Sequence, residues 1–64
     1  MLLRPLERGT GQRLFTGGRW FGTVWHSNIW GWQWARVAGE HGPSFGGQCQ
    51  TLESGLAILE GLAV

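Results

Sequence analysis

Residues 20–37, WFGTVWHSNIWGWQWARV, hold all five tryptophans of the chain and decide its fold. They read as two antiparallel strands joined by a short turn at Ser27-Asn28, where Asn tolerates the left-handed backbone that tight hairpin turns need. That turn sets His26 against Ile29, Trp25 against Trp30, Val24 against Gly31, Thr23 against Trp32, Gly22 against Gln33, Phe21 against Trp34 and Trp20 against Ala35. Side chains alternate along a strand, so Phe21, Thr23, Trp25, Trp30, Trp32 and Trp34 fall on one face, the expected core. Trp20, Gly22, Val24, His26, Ile29, Gly31, Gln33, Ala35 and Val37 fall on the other, a thin face of mostly small residues.

Upstream, residues 12–16 form a candidate strand, and Gly17-Gly18 is a two-residue turn signal. It pairs Thr16 with Arg19, Phe15 with Trp20 and Leu14 with Phe21, which puts Leu14 in the core and makes Phe15 and Trp20 neighbours on the thin face. Residues 1–11, with Arg4, Pro5 and two glycines among Leu2, Leu3 and Leu6, read as an arm. It is either a tail or a segment whose leucines fold back over exposed apolar surface. Residues 12–64 make up the domain.

Downstream, residues 39–42 form a turn-rich loop. A strand beyond it sets Val37 against Ser44, Arg36 against Phe45, Ala35 against Gly46, Trp34 against Gly47, Gln33 against Gln48 and Trp32 against Cys49. Phe45 and Cys49 then land on the core face, Ser44, Gly46, Gln48 and Gln50 on the thin face, and Gly47 leaves room for the Trp34 indole. Thr51 is placed to cap a helix, with Glu53 suiting its positive end. Leu52, Leu56, Leu59 and Ala63 recur at helical spacing, widened by Ile58 and Leu62, while Glu53, Ala57, Glu60 and Gly61 lie opposite. Gly55 falls inside the apolar arc, where the helix would approach an indole. The expected fold is α+β: a three- to four-stranded antiparallel meander with one C-terminal helix packed on its Trp-rich face.

Composition narrows the function. Five arginines against four glutamates, without lysine or aspartate, provide neither a basic footprint for nucleic acid nor an acidic mimic of it. A lone cysteine suits a reducing compartment, and the opening MLLRPLERG has too short an apolar run for a signal or membrane segment, so a cytoplasmic protein with no membrane partner is expected. His26, His41 and Cys49 are metal-ligand types, but the expected fold scatters them between a hairpin tip, the opposite loop and the core. No metal, cofactor or small-molecule substrate is expected. No carboxylate is placed to orient a histidine, and no glycine pair has the setting of a phosphate cradle, so the chain reads as non-enzymatic. The expected partner-binding set is Phe15, Trp20, Gly22, Gln33, Gly46 and Gln48 on the thin face, with Trp20 as the one tryptophan outside the core.

From Gly22 to Ala63 the order G-T-V, W-G-W-Q-W-A-R-V, a turn, F-G-G and T-L-E-S-G-L-A resembles the DNA-binding domain of plant ethylene-response factors and the arm-binding domain of some tyrosine integrases. The resemblance implies a three-stranded sheet over one helix, with the bare face entering the major groove. Family members carry arginines there, whereas this chain is expected to present Gln33, Gln48, Gln50, Ser44 and His26, with Arg19 and Arg36 behind. In size and layout the chain also resembles small phage and mobile-element proteins, some of which inhibit host defence proteins such as CRISPR effectors (the anti-CRISPR type). The expected function is therefore a small protein-binding module, of the phage-inhibitor type or self-associating as a homodimer. The alternative is a sheet-face DNA-binding domain.

Overall fold

The structure, a computed structural model, describes residues 2–37 and 45–62. Strands β1 (Leu2–Pro5), β2 (Gly11–Thr16), β3 (Arg19–Ser27), β4 (Gly31–Arg36) and β5 (Phe45–Gln48) precede helix α1 (Leu52–Leu62). The strands follow one another in chain order in a single antiparallel sheet. One face of it is covered by α1, which packs on β2, β3 and β4. The loop expected at 39–42, with His41, and the residues Ser44 and Ala63 lie outside the described residues.

The sheet has five strands because the N-terminal segment is not an arm. Leu2, Leu3, Arg4 and Pro5 pair with Phe15, Leu14, Arg13 and Gln12. Pro5 ends this edge strand, a position where a missing N–H is tolerated.

At the Gly17-Gly18 turn the pairs Thr16–Arg19 and Phe15–Trp20 form as the sequence predicts, but Leu14 pairs with Gly22 rather than Phe21. Phe21 is an extra residue, a β-bulge, and its carbonyl accepts from Val37 N–H at 2.8 Å. It inverts the faces of everything after it in β3. Gly22, Val24 and His26 turn toward the helix-covered side, and Thr23 and Trp25 go to the open side.

The β3–β4 connection also differs. Residues 28–30 form the loop, Ser27 pairs with Gly31, and Gly31 takes the positive φ of 75° that closes a three-residue hairpin loop. Ser27 Oγ locks it by accepting the N–H groups of Ile29 at 3.2 Å and Trp30 at 3.1 Å. Val24 therefore pairs with Trp34, Trp25 with Gln33 and His26 with Trp32, not with Gly31, Trp30 and Ile29. The side-chain hydrogen bonds of Ser27 make the longer loop favourable, and period-2 reasoning does not register them.

Between β4 and β5 the predicted register forms: Arg36–Phe45, Ala35–Gly46, Trp34–Gly47 and Gln33–Gln48. It is extended by Cys49 N–H donating to the Trp32 carbonyl at 3.0 Å. The Trp34 indole lies against Gly47, as the missing side chain allows.

The fully buried core is small: Leu14, Val24 and Leu59, with Phe21, Trp32, Trp34, Cys49, Leu52 and Leu56 packed around it. Of the tryptophans expected inside, Trp25 lies on the open face and Trp30 sits in the turn, 63% exposed. Two glycines let α1 seat. A Cβ at Gly22 would stand 2.8 Å from a Leu59 methyl and 2.7 Å from the Ala35 carbonyl oxygen, and one at Gly55 would stand 2.7 Å from a Val24 methyl. Gly55 thus meets Val24 and Cys49 rather than an indole. The helix starts where predicted, on a reciprocal cap: Thr51 Oγ1 accepts from Ser54 N–H at 3.1 Å, and Ser54 Oγ accepts from Thr51 N–H at 3.0 Å.

Leu59→Ala is expected to cost roughly 2 to 5 kcal/mol, and Gly22→Ala roughly 1 to 3 kcal/mol because the new methyl overpacks the Leu59 contact. Denaturant melts measure both, and a Gly22→Ala chain as stable as the parent would put residue 22 on the open face. Burial pushes the Cys49 thiol up from its ordinary range, against a smaller opposing pull from the Ser54 hydrogen bond. The folded chain thus keeps this thiol protonated to higher pH than the unfolded chain does. This contribution is fully present below the ordinary thiol pKa and is lost as pH rises from there through the raised pKa of the folded chain. Alkylation near neutral pH should be slow in the native protein and fast in denaturant, and equal rates would place Cys49 outside the core packing.

Candidate functional site

The uncovered face of the sheet is built in rows across the strands. Leu2, Phe15 and Trp20 make the first row, in β1, β2 and β3. Arg4, Arg13, Thr23, Ala35 and Gly46 make the second, running across all five strands. Gly11, Trp25, Gln33 and Gln48 make the third. Strands lie about 4.8 Å apart, so residues in one row are immediate neighbours.

Five of the six residues expected to bind a partner are on this face: Phe15, Trp20, Gln33, Gly46 and Gln48. Gly22 is not. The bulge at Phe21 turns it under the helix, where it is buried against Leu59. His26 also leaves the face, and its ring meets Trp32 edge-on with centroids 5.2 Å apart. Gln50 lies beyond β5, where its N–H donates to Ser54 Oγ at the helix entry.

Trp20 is 47% exposed yet held firmly. Its indole N–H is shared between the Gly22 carbonyl at 3.1 Å and Thr23 Oγ1 at 3.0 Å. The Arg13 guanidinium lies over its ring, 5.4 Å from the centroid. The ring is thereby held beside Thr23. The face carries an open hollow of about 680 Å³ lined by Leu2, Arg4, Phe15, Gly17 and Gly18. A second hollow of about 280 Å³ is lined by Trp25, Gln33, Trp34 and Ala35 with Gly46, Gly47 and Gln48 of β5. Gly46 shapes this second hollow, because a side chain there would run into the Trp34 and Ala35 backbone.

Sequence reasoning missed Arg4, Arg13 and Trp25 at this site. Arg4 and Arg13 are cross-strand partners that put two guanidiniums on the open face, where none was expected. The signal for Arg13 was available, since it lies two residues before Phe15 and strand alternation puts both on one side. Arg4 needed the pairing of β1, and Trp25 needed the bulge.

No three His, Cys, Asp or Glu side chains converge among the described residues. No helix among them is long and apolar enough to cross a membrane. In comparisons with protein-family models, with characterised proteins and with solved structures, the chain finds no match.

Proposed function

We propose that this chain is a small non-enzymatic protein-binding module of the cytoplasm that engages its partner through the open sheet face. The observation that carries this reading is the Phe15–Trp20 pair: two aromatics side by side on the face the helix leaves uncovered, with Trp20 held in place by its own hydrogen bonds. A rigid, half-exposed indole loses little side-chain freedom on binding and brings a large apolar area, which is why such residues anchor interfaces. The two hollows on the same face, one of them lined by Phe15, provide concavity for a partner's side chains. The chain's size and layout suit an inhibitor of the phage or mobile-element type, which works by occupying a surface rather than by chemistry.

A second reading draws on Arg4 and Arg13. Guanidiniums on the bare face make a sheet-face DNA-binding domain better supported than the sequence suggested, because they could contact phosphates or guanine edges while Gln33 and Gln48 contact bases. Salt separates the two. Groove binding weakens steeply as salt rises, because counterions are released for each phosphate contact, whereas a mainly apolar protein interface responds little.

Trp20→Ala is expected to leave the melting temperature nearly unchanged while abolishing capture of a partner from nuclease-treated lysate, or self-association in sedimentation. Trp32→Ala, under the helix, should instead lose the fold. Unimpaired binding by Trp20→Ala would move the interface off this face.

A further inference from the structure

The near-neutral total charge hides a strong segregation along the chain. Residues 1–19 carry four arginines, Arg4, Arg8, Arg13 and Arg19, against Glu7 alone, whereas residues 20–64 carry Arg36 against Glu40, Glu53 and Glu60. The fold converts this into a difference between sides. Arg4 and Arg13 stand together on the open face, while Glu53 and Glu60 are on the helix, beyond the other face, and Glu7 is in the β1–β2 turn. Neither Arg4 nor Arg13 forms an ion pair with a carboxylate among the described residues. Like charges set directly opposite on a sheet repel, so the Arg4–Arg13 pair is a cost to the free protein that a bound anion would relieve.

Arg4 also lines the larger hollow, beside the apolar walls of Leu2 and Phe15. Leu2 is 51% exposed there. We propose that the segment docking on this face is an acidic stretch of a partner protein, with a carboxylate on Arg4 and Arg13 and a neighbouring apolar side chain between Leu2 and Phe15. This rests on the reading of the open face as the protein-binding surface and names the partner's chemistry. Arginine suits the role, since its planar fork takes a carboxylate in bidentate fashion.

Charge complementarity weighs against the other occupants of this face in turn. A second copy docking face to face would bring the same arginine pair against itself. A nucleic-acid strand needs a track of cations along its phosphates and free aromatic faces for its bases. Here the cations are two, and the Trp20 ring already lies under the Arg13 guanidinium. An apolar wall next to a guanidinium matches an acidic peptide better.

The test is calorimetric titration of the full chain with a random glutamate–tyrosine copolymer, a glutamine–tyrosine peptide and an oligothymidylate. The copolymer should bind, the neutral peptide should bind far more weakly, and Arg4→Gln should weaken the copolymer roughly five- to tenfold while melting no lower than the parent. Arg19→Gln removes the same charge from the other face and should change binding by less than about twofold. Lack of copolymer binding, equal binding of the neutral peptide, or an Arg4→Gln chain that binds like the parent would each overturn the proposal. Tighter binding of the oligothymidylate would overturn it in favour of nucleic acid. The Trp20→Ala experiment depends on no charge, so loss of this proposal and loss of the open-face reading are distinguishable.

Discussion

Everything in this molecule depends on how closely α1 can approach the sheet. A chain of 64 residues has too little apolar area to waste, and its fully buried core is Leu14, Val24 and Leu59. Those three meet because Gly22 and Gly55 remove the side chains that would hold helix and sheet apart. Leu59 settles over Gly22, and Val24 settles against Gly55. Once this contact is made, the indoles of Trp32 and Trp34 pack around its margin. The aromatic residues that dominate the sequence are therefore walls of the core rather than its centre.

The bulge at Phe21 links that packing to the proposed function. Trp20 and Val24 lie four positions apart, so an unbroken strand would put both on one side of the sheet. Either Trp20 would go under the helix or Val24 would leave the core. One extra residue in β3 separates them, sending Val24 inward and leaving Trp20 on the open face beside Phe15. Phe21 itself is used twice: its carbonyl accepts from Val37, and its ring packs at the core edge under the Arg36 guanidinium, 4.9 Å away. The same device that completes the core thus leaves the Phe15–Trp20 pair, set by the Gly17-Gly18 turn, on the open face.

Charge follows the same division. Four of the five arginines lie in residues 1–19, and pairing of β1 with β2 collects Arg4 and Arg13 into one place. The helix carries Glu53 and Glu60 on the opposite side. A protein of near-neutral total charge thus presents, once folded, two cross-strand arginines on its open face and two glutamates on its helix.

What the sequence determined by itself is local: the two-residue turn at Gly17-Gly18, the cap at Thr51, the helix and its apolar stripe, and the β4–β5 register. The first three are dictated by residues a few positions apart, through glycine turn signals, a hydroxyl beside a helix start, or the 3.6-residue period, and the register by strand alternation that no bulge interrupts in β4 or β5. The meander order follows from short connections between such elements. Tertiary structure alone decided what depends on counting residues across distant strands. The bulge at Phe21 and the longer loop at 28–30 each reverse the expected alternation. Their effects cancel beyond the loop, so Trp32 and Trp34 were placed on the correct face while Gly22, Val24 and Trp25 were not. An alternating pattern specifies which residues share a face only while the period is unbroken, and neither a bulge nor a loop closed by a serine hydroxyl alters that pattern. For Arg4, the deciding fact was the pairing of Leu2–Pro5 with β2, a long-range contact in which a four-residue edge strand holding one arginine and one proline gains its backbone hydrogen bonds only from a partner the sequence does not name.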